Sequence, residues 1–206
     1  AGKSNKEWFD VLTNQYPGSE AFYKVSYLSV LGFIELKEGK VDSAKTRMAE
    51  ITAFLPSLTR NQKGWGTFIA SLLQTEVSLA DGFPEKAIAS FEKTALPVPP
   101  WMQDMIILIN YNAPFFKDPL ARAYMQKGDL DRAIAEYEKL VTFDPTSRAR
   151  FLVHPELHYR LAKIYEQKGM NGKAIEQYQK FLDLWKDADP GRPEVEDARK
   201  RLDKLK

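Results

Sequence analysis

Four glycines constrain this chain more than any other feature. Gly39, Gly82, Gly128 and Gly169 are each followed five residues later by an alanine: Ala44, Ala87, Ala133 and Ala174. Four residues beyond each alanine comes a large apolar side chain: Met48, Phe91, Tyr137 and Tyr178. Three of the copies then place a proline eight residues further on, at Pro56, Pro99 and Pro145, whereas the fourth has Lys186 there and Pro190 shortly after. Ahead of the last two glycines the wording also repeats, as Leu120-Ala121-x2-Tyr124 and Leu161-Ala162-x2-Tyr165. Self-similarity at a period of this size is an architecture in itself, and it directs attention to a binding surface rather than a reacting pocket.

The spacing has a physical reading. A glycine tolerates the left-handed backbone at a helix end, so the first helix of each copy stops there. The alanine lets the next helix approach closely, and the residue four positions on shares its face and fills the gap. The proline cannot continue the hydrogen-bond ladder and ends the second helix. Each copy is therefore a helix–turn–helix unit. Lys6–Tyr16 reads as the second helix of a preceding unit, with its partner expected upstream of Ala1. Val195, Ala198, Leu202 and Leu205 form the apolar stripe of a capping helix over 193–206, opened by Pro193 at a first helical position.

The pattern resembles the tetratricopeptide repeat family, whose consensus is W-x2-L-G-x2-Y…A-x3-F…P over about 34 residues. On that frame a half-repeat covers 4–17 and repeats cover 25–58, 68–101, 114–147 and 155–188, followed by the cap. No copy keeps the consensus Trp, and the second copy matches only in its second helix, because Ser71, Gln74, Thr75 and Ser78 stand in its first. The resemblance implies one all-α domain over 1–206, a right-handed α-solenoid of antiparallel helix pairs. The stretch from the third repeat through Trp185–Pro190 and the last helix is also similar to the C-terminal repeats of large bacterial multidomain signalling proteins. The copies exceed the family period at 102–113, where Met102–Tyr111 reads as an extra helix, and at 148–154.

Composition narrows the function classes. The 206 residues carry 30 basic and 28 acidic side chains, a net charge of +2. That balance argues against a dedicated nucleic-acid binder. There is no cysteine, which removes disulfides, thiolate metal sites and a cysteine nucleophile. The longest apolar run, Met105–Ile109, is far short of the roughly 18 residues of a membrane span. A cytoplasmic location is expected, with an extracytoplasmic one left open. Catalytic groups are sparse: two histidines, His154 and His158, and scattered carboxylates on exposed helix positions. Neither an enzyme nor a cofactor is expected. The histidine pair lacks further ligands for a metal, and His158 reads as a packing residue at the consensus Trp position.

In tetratricopeptide arrays the first helices line a concave groove. Carried onto this chain, the resemblance places Ser29, Phe33, Leu36 and Lys37 there from the first copy, and Leu72, Glu76 and Leu79 from the second. The third supplies Asp118, Arg122, Met125 and Gln126, and the fourth Tyr159, Lys163, Glu166 and Gln167. The set runs from apolar to charged, which suits a peptide with an apolar and a charged end. The Asn of the family's chaperone-tail clamp is missing, so that activity is not expected. Arg148, Arg150 and Arg160 form a basic cluster around the later insertion, with the chemistry to hold a carboxylate or phosphate. The expected function is thus non-catalytic binding of a protein or peptide, as a scaffold or regulatory module, without nucleic acid or membrane. Two alternatives stand beside it: self-assembly or docking to a fused upstream domain, and small-molecule sensing in the groove.

Overall fold

The computed structural model describes residues 7, 11, 18, 20–92, 118–142, 154–187 and 191–206. The chain divides into two compact units, Ala1–Pro100 and Trp101–Lys206. The first holds α1 (Glu20–Lys37), α2 (Val41–Phe54), a 3-10 turn (Leu55–Ser57), α3 (Arg60–Ala80) and α4 (Pro84–Glu92). The second holds α5 (Pro119–Lys127), α6 (Leu130–Val141), α7 (Pro155–Gln167), α8 (Asn171–Leu184) and α9 (Pro193–Leu205). The described residues are all-α, with helix pairs of the tetratricopeptide kind. Lys6–Tyr16, Met102–Tyr111, Pro99, Pro145 and the insertion arginines Arg148 and Arg150 lie outside the described residues or largely so.

The four glycines build the same turn four times. Each has positive φ: +75° at Gly39, +79° at Gly82, +84° at Gly128 and +70° at Gly169. The glycine N–H donates to the carbonyl three residues back, as in Gly128 N to Met125 O at 3.0 Å. The next N–H donates five residues back: Lys40 to Glu35 (2.8 Å), Phe83 to Ser78 (2.8 Å), Asp129 to Tyr124 (2.9 Å) and Met170 to Tyr165 (2.8 Å). This pair of bonds is a Schellman motif, and it satisfies carbonyls that the helix end would otherwise orphan. The residue after each glycine then starts the next helix. Its carbonyl accepts from Ala44 (3.2 Å), Ala87 (3.1 Å), Ala133 (3.0 Å) or Ala174 (3.0 Å). One residue thus closes one helix and opens the next, which fixes the five-residue offset seen in the sequence.

Those alanines sit where the helices of a pair cross, and all four are completely buried. Tyr137 and Tyr178 beside them are also at 0% exposure. In the first unit α1 packs on α2, α3 on α4, and both α1 and α2 on α3. Its core is Val25, Leu28, Ile51, Leu58, Leu73 and Val77, with the small residues around them. Gly32 permits the close approach of α1 to α3, because a Cβ there would lie 2.8 Å from Leu73 Cδ2. In the second unit α5 packs on α6, α6 on α7, α7 on α8 and α8 on α9. The capping helix buries Val195, Ala198 and Leu202.

Two local findings go beyond the sequence frame. α3 starts at Arg60, ahead of the expected 68, because Thr59 and Gln62 form a capping box that nucleates the helix early. The polar residues of α3 are absorbed without a partner helix to receive them. Thr75 Oγ1 donates to Ser71 O and Ser78 Oγ to Gln74 O, both at 2.8 Å. Each hydroxyl is satisfied within its own helix, so Thr75 and Ser78 can be buried.

Candidate functional site

Of the predicted groove residues in the first unit, Leu72 and Ser29 are 2% exposed and Leu79 is 9% exposed. Phe33 and Leu36 are half-buried against the core. Glu76 is half-buried and Lys37 is exposed. The apolar end of the predicted groove is therefore largely consumed in holding α1 and α3 together.

The second unit gathers its predicted groove residues into two groups. The first is a buried ion cluster. Asp118, at 0% exposure, caps the start of α5 in sequence and accepts from Arg122 Nε at 2.9 Å and from the Tyr137 hydroxyl at 2.8 Å. Arg160 of α7 reaches the same carboxylate and also pairs with Glu156 at 3.1 Å. Burial is the largest single influence and works to lower the Arg160 pKa, but the Asp118 charge and hydrogen bond, Tyr137 and Glu156 together outweigh it and raise the guanidinium above its ordinary value. Burial, reinforced by Asp118, likewise holds the Tyr137 phenol protonated far above its usual range. Arg160, predicted as part of a basic patch, is thus already committed to two carboxylates.

The second group is open to solvent. Met125, Lys163, Glu166 and Gln167, from the first helices of two repeats, line a cleft of about 330 Å³ with Ile164 and Arg201. Met125 is 40% exposed, and Lys163 lies 5.3 Å from the Tyr159 ring centre. One wall is held rigid by a network that reaches the capping helix. Tyr159 donates to Asp197 (2.7 Å), Arg201 donates to Asp197 (2.6 Å) and Glu166 (3.0 Å), and Tyr178 donates to Glu166 (2.7 Å). Burial raises Asp197, but the Tyr159 and Arg201 hydrogen bonds prevail and hold it below the ordinary carboxylate range. Sequence reasoning missed Arg201 and Asp197. Their (i, i+4) spacing marks a helix-surface ion pair, but nothing local shows that it docks on Glu166 and Tyr159.

His158 packs between α7 and α8, 6% exposed, with Nδ1 2.7 Å from the Gln177 amide oxygen, to which it donates. His154 instead caps α7, its Nδ1 accepting from Glu156 N at 3.4 Å. No group of three metal-ligating side chains occurs among the described residues, and no described helix is long and apolar enough to cross a membrane.

The His158 environment carries a pH prediction. Burial lowers its pKa below the ordinary 6.5, the Gln177 bond opposes this, Lys180 adds to it and Glu176 opposes it. The unfolded chain therefore takes up the proton first as pH falls. His158's contribution is fully present above pH 6.5 and is lost as pH drops from there toward the folded-state value. Denaturation at pH 7.5 and 5.5 should show a loss in wild type that His158→Phe largely removes. A loss of equal size in the variant would count against this assignment.

The repeat pattern is independently matched. A family model described as TPR repeat matches residues 121–169, and one described as tetratricopeptide repeat matches residues 155–184. No curated protein and no solved structure matches the chain significantly.

Proposed function

We propose that this chain, whose residues 121–184 are tetratricopeptide repeats, is a non-catalytic module that binds a segment of another protein along the first helices of its second unit. Such repeats generally mediate protein–protein interaction and are not in general catalytic. The observation that carries the reading is the cleft of Met125, Lys163, Glu166 and Gln167, completed by Ile164 and Arg201. It pairs an apolar floor with a cation, the combination that seats a side chain and orients its neighbour. One of its walls is preformed by the Asp197–Arg201–Glu166 network, which limits the ordering that binding costs.

A photo-crosslinking residue placed at 125 or 167 in the full chain should capture a discrete partner from an extract of the source cell. The same group at the exposed Lys139 on α6 should not. Met125→Ser combined with Lys163→Gln should lower capture by about tenfold while the melting temperature moves by no more than about 2 °C, both changes being at the surface. Equal capture from position 139, or capture indifferent to the double substitution, would overturn the proposal. The assembly alternative rests on Met102–Tyr111, outside the described residues.

A further inference from the structure

The two units solve one packing problem differently, and the difference leaves a shaped vacancy in the first. In the second unit the notch between the second helices α6 and α8 is filled from the floor by Tyr165 of α7. Tyr165, 3% exposed, donates its hydroxyl to Glu138 of α6. Lys173 of α8 lies 5.1 Å from the centre of that ring and 3.7 Å from the Glu138 carboxylate. Ring, carboxylate and ammonium form a closed set.

Counted from their glycines, the matching positions in the first unit are Ser78 for Tyr165, Ala49 for Glu138 and Lys86 for Lys173. The ring and the carboxylate are gone, and the cation remains. Where the ring would stand there is a cleft of about 370 Å³, bounded by α2, the end of α3 and the start of α4, with Ser78, Ala49 and Lys86 all in its lining. Val77, 4% exposed, forms part of its floor. Phe83, 46% exposed, stands on its rim, with Lys86 Nζ 4.3 Å from the Phe83 ring centre. No carboxylate pairs with Lys86 among the described residues, whereas Lys45 across the cleft is already taken by Asp81 at 2.7 Å.

We propose that this cleft is a second binding site, which takes an aromatic side chain of a partner polypeptide with a carboxylate beside it. The ring would occupy the space Tyr165 fills in the other unit, against Val77, Met48 and the edge of Phe83. The adjacent carboxylate would answer Lys86 as Glu138 answers Lys173. The match is chemical on both counts: a cleft with Val77 and Met48 in its lining and room for a ring, and a cation whose repeat-related counterpart is neutralised by an acid. The site lies in the first unit, between the second helices α2 and α4 over the end of α3, and shares no residue with the cleft proposed in the second.

The test uses the isotope-labelled full chain and three capped tetrapeptides with the central pairs Tyr-Glu, Ala-Glu and Tyr-Lys. Tyr-Glu should produce saturable shifts of the Val77, Ser78 and Lys86 amides, and the other two should bind at least tenfold more weakly. Ser78→Tyr, which refills the hole from within, should abolish the shifts. Should that variant not fold, Lys86→Glu decides, because it should reverse the preference toward Tyr-Lys. Absence of saturable shifts, equal binding of all three peptides, or indifference to Lys86→Glu would overturn the proposal. So would shifts of the same amides on simple dilution of the wild-type chain, which would make a second copy the occupant.

Discussion

Asp118→Ala should destabilise the second unit by about 3–5 kcal/mol, the range for removing one member of a buried, hydrogen-bonded charge cluster. The carboxylate is fully buried and is shared by donors from three helices: Arg122 of α5, Tyr137 of α6 and Arg160 of α7. Without it, the Tyr137 hydroxyl loses its acceptor inside the core, and Arg160 keeps only Glu156 against the cost of its burial. An unpaired buried group costs more than the bond it once made was worth. Asp118→Asn keeps an acceptor but not the charge, so it should fall between wild type and Ala. Glu136→Ala, which breaks the exposed pair with Lys139, should change stability by no more than about 1 kcal/mol. Because the chain has two units, hydrogen exchange read at amides of α5 to α7 is the measurement of choice. A change below about 1 kcal/mol for Asp118→Ala would mean that the cluster adds little net stability.

That cluster also shows where sequence reading stops. The turns were legible because everything they need is local. A glycine, the residue after it and an alanine five positions on make all the hydrogen bonds among themselves and the preceding turn. The capping helix was legible for the same reason, its stripe being visible at Val195, Ala198 and Leu202. Asp118 was not, because two of its three partners, Tyr137 and Arg160, lie 19 and 42 residues downstream. Helical register assigns it to a groove-lining face, and only the approach of Arg160 and Tyr137 makes it an interior residue. The start of α3 was set at 68 by the repeat frame, whereas the capping box at Thr59 begins the helix at Arg60 and Leu58 packs closely on Gly66 within it. The cleft of the second unit was half legible: Met125, Lys163, Glu166 and Gln167 follow from the repeat, whereas Arg201 comes from outside it. Ser78 was visible as an irregularity in the pattern, and its meaning emerged only when Tyr165 was seen occupying the equivalent space.

Phe181→Ala should cost about 3–5 kcal/mol, the range for deleting a buried aromatic ring, and it should do so by undoing the cap as well as the core. Phe181 is fully buried in α8. Its ring centre lies 5.3 Å from that of Tyr159 and 5.3 Å from that of Trp185. Tyr159 is the residue that hands its hydroxyl to Asp197 on α9, and Trp185 is covered by Arg192, 4.7 Å from its ring centre, just before that helix. The ring therefore supports both attachments of the capping helix from beneath. A cavity there frees Tyr159 to tilt, which weakens its bond to Asp197 and exposes Val195 and Leu202. Phe181→Leu keeps most of the volume and should cost roughly 1–2 kcal/mol, near the limit for volume-conserving core changes. A double-mutant cycle of Phe181→Ala with Asp197→Asn should show coupling of about 0.5 kcal/mol or more, since the two act through Tyr159. Strict additivity would mean that α9 is held independently of the ring. In that case exchange protection in α9 should survive Phe181→Ala, whereas its early loss is the expected result.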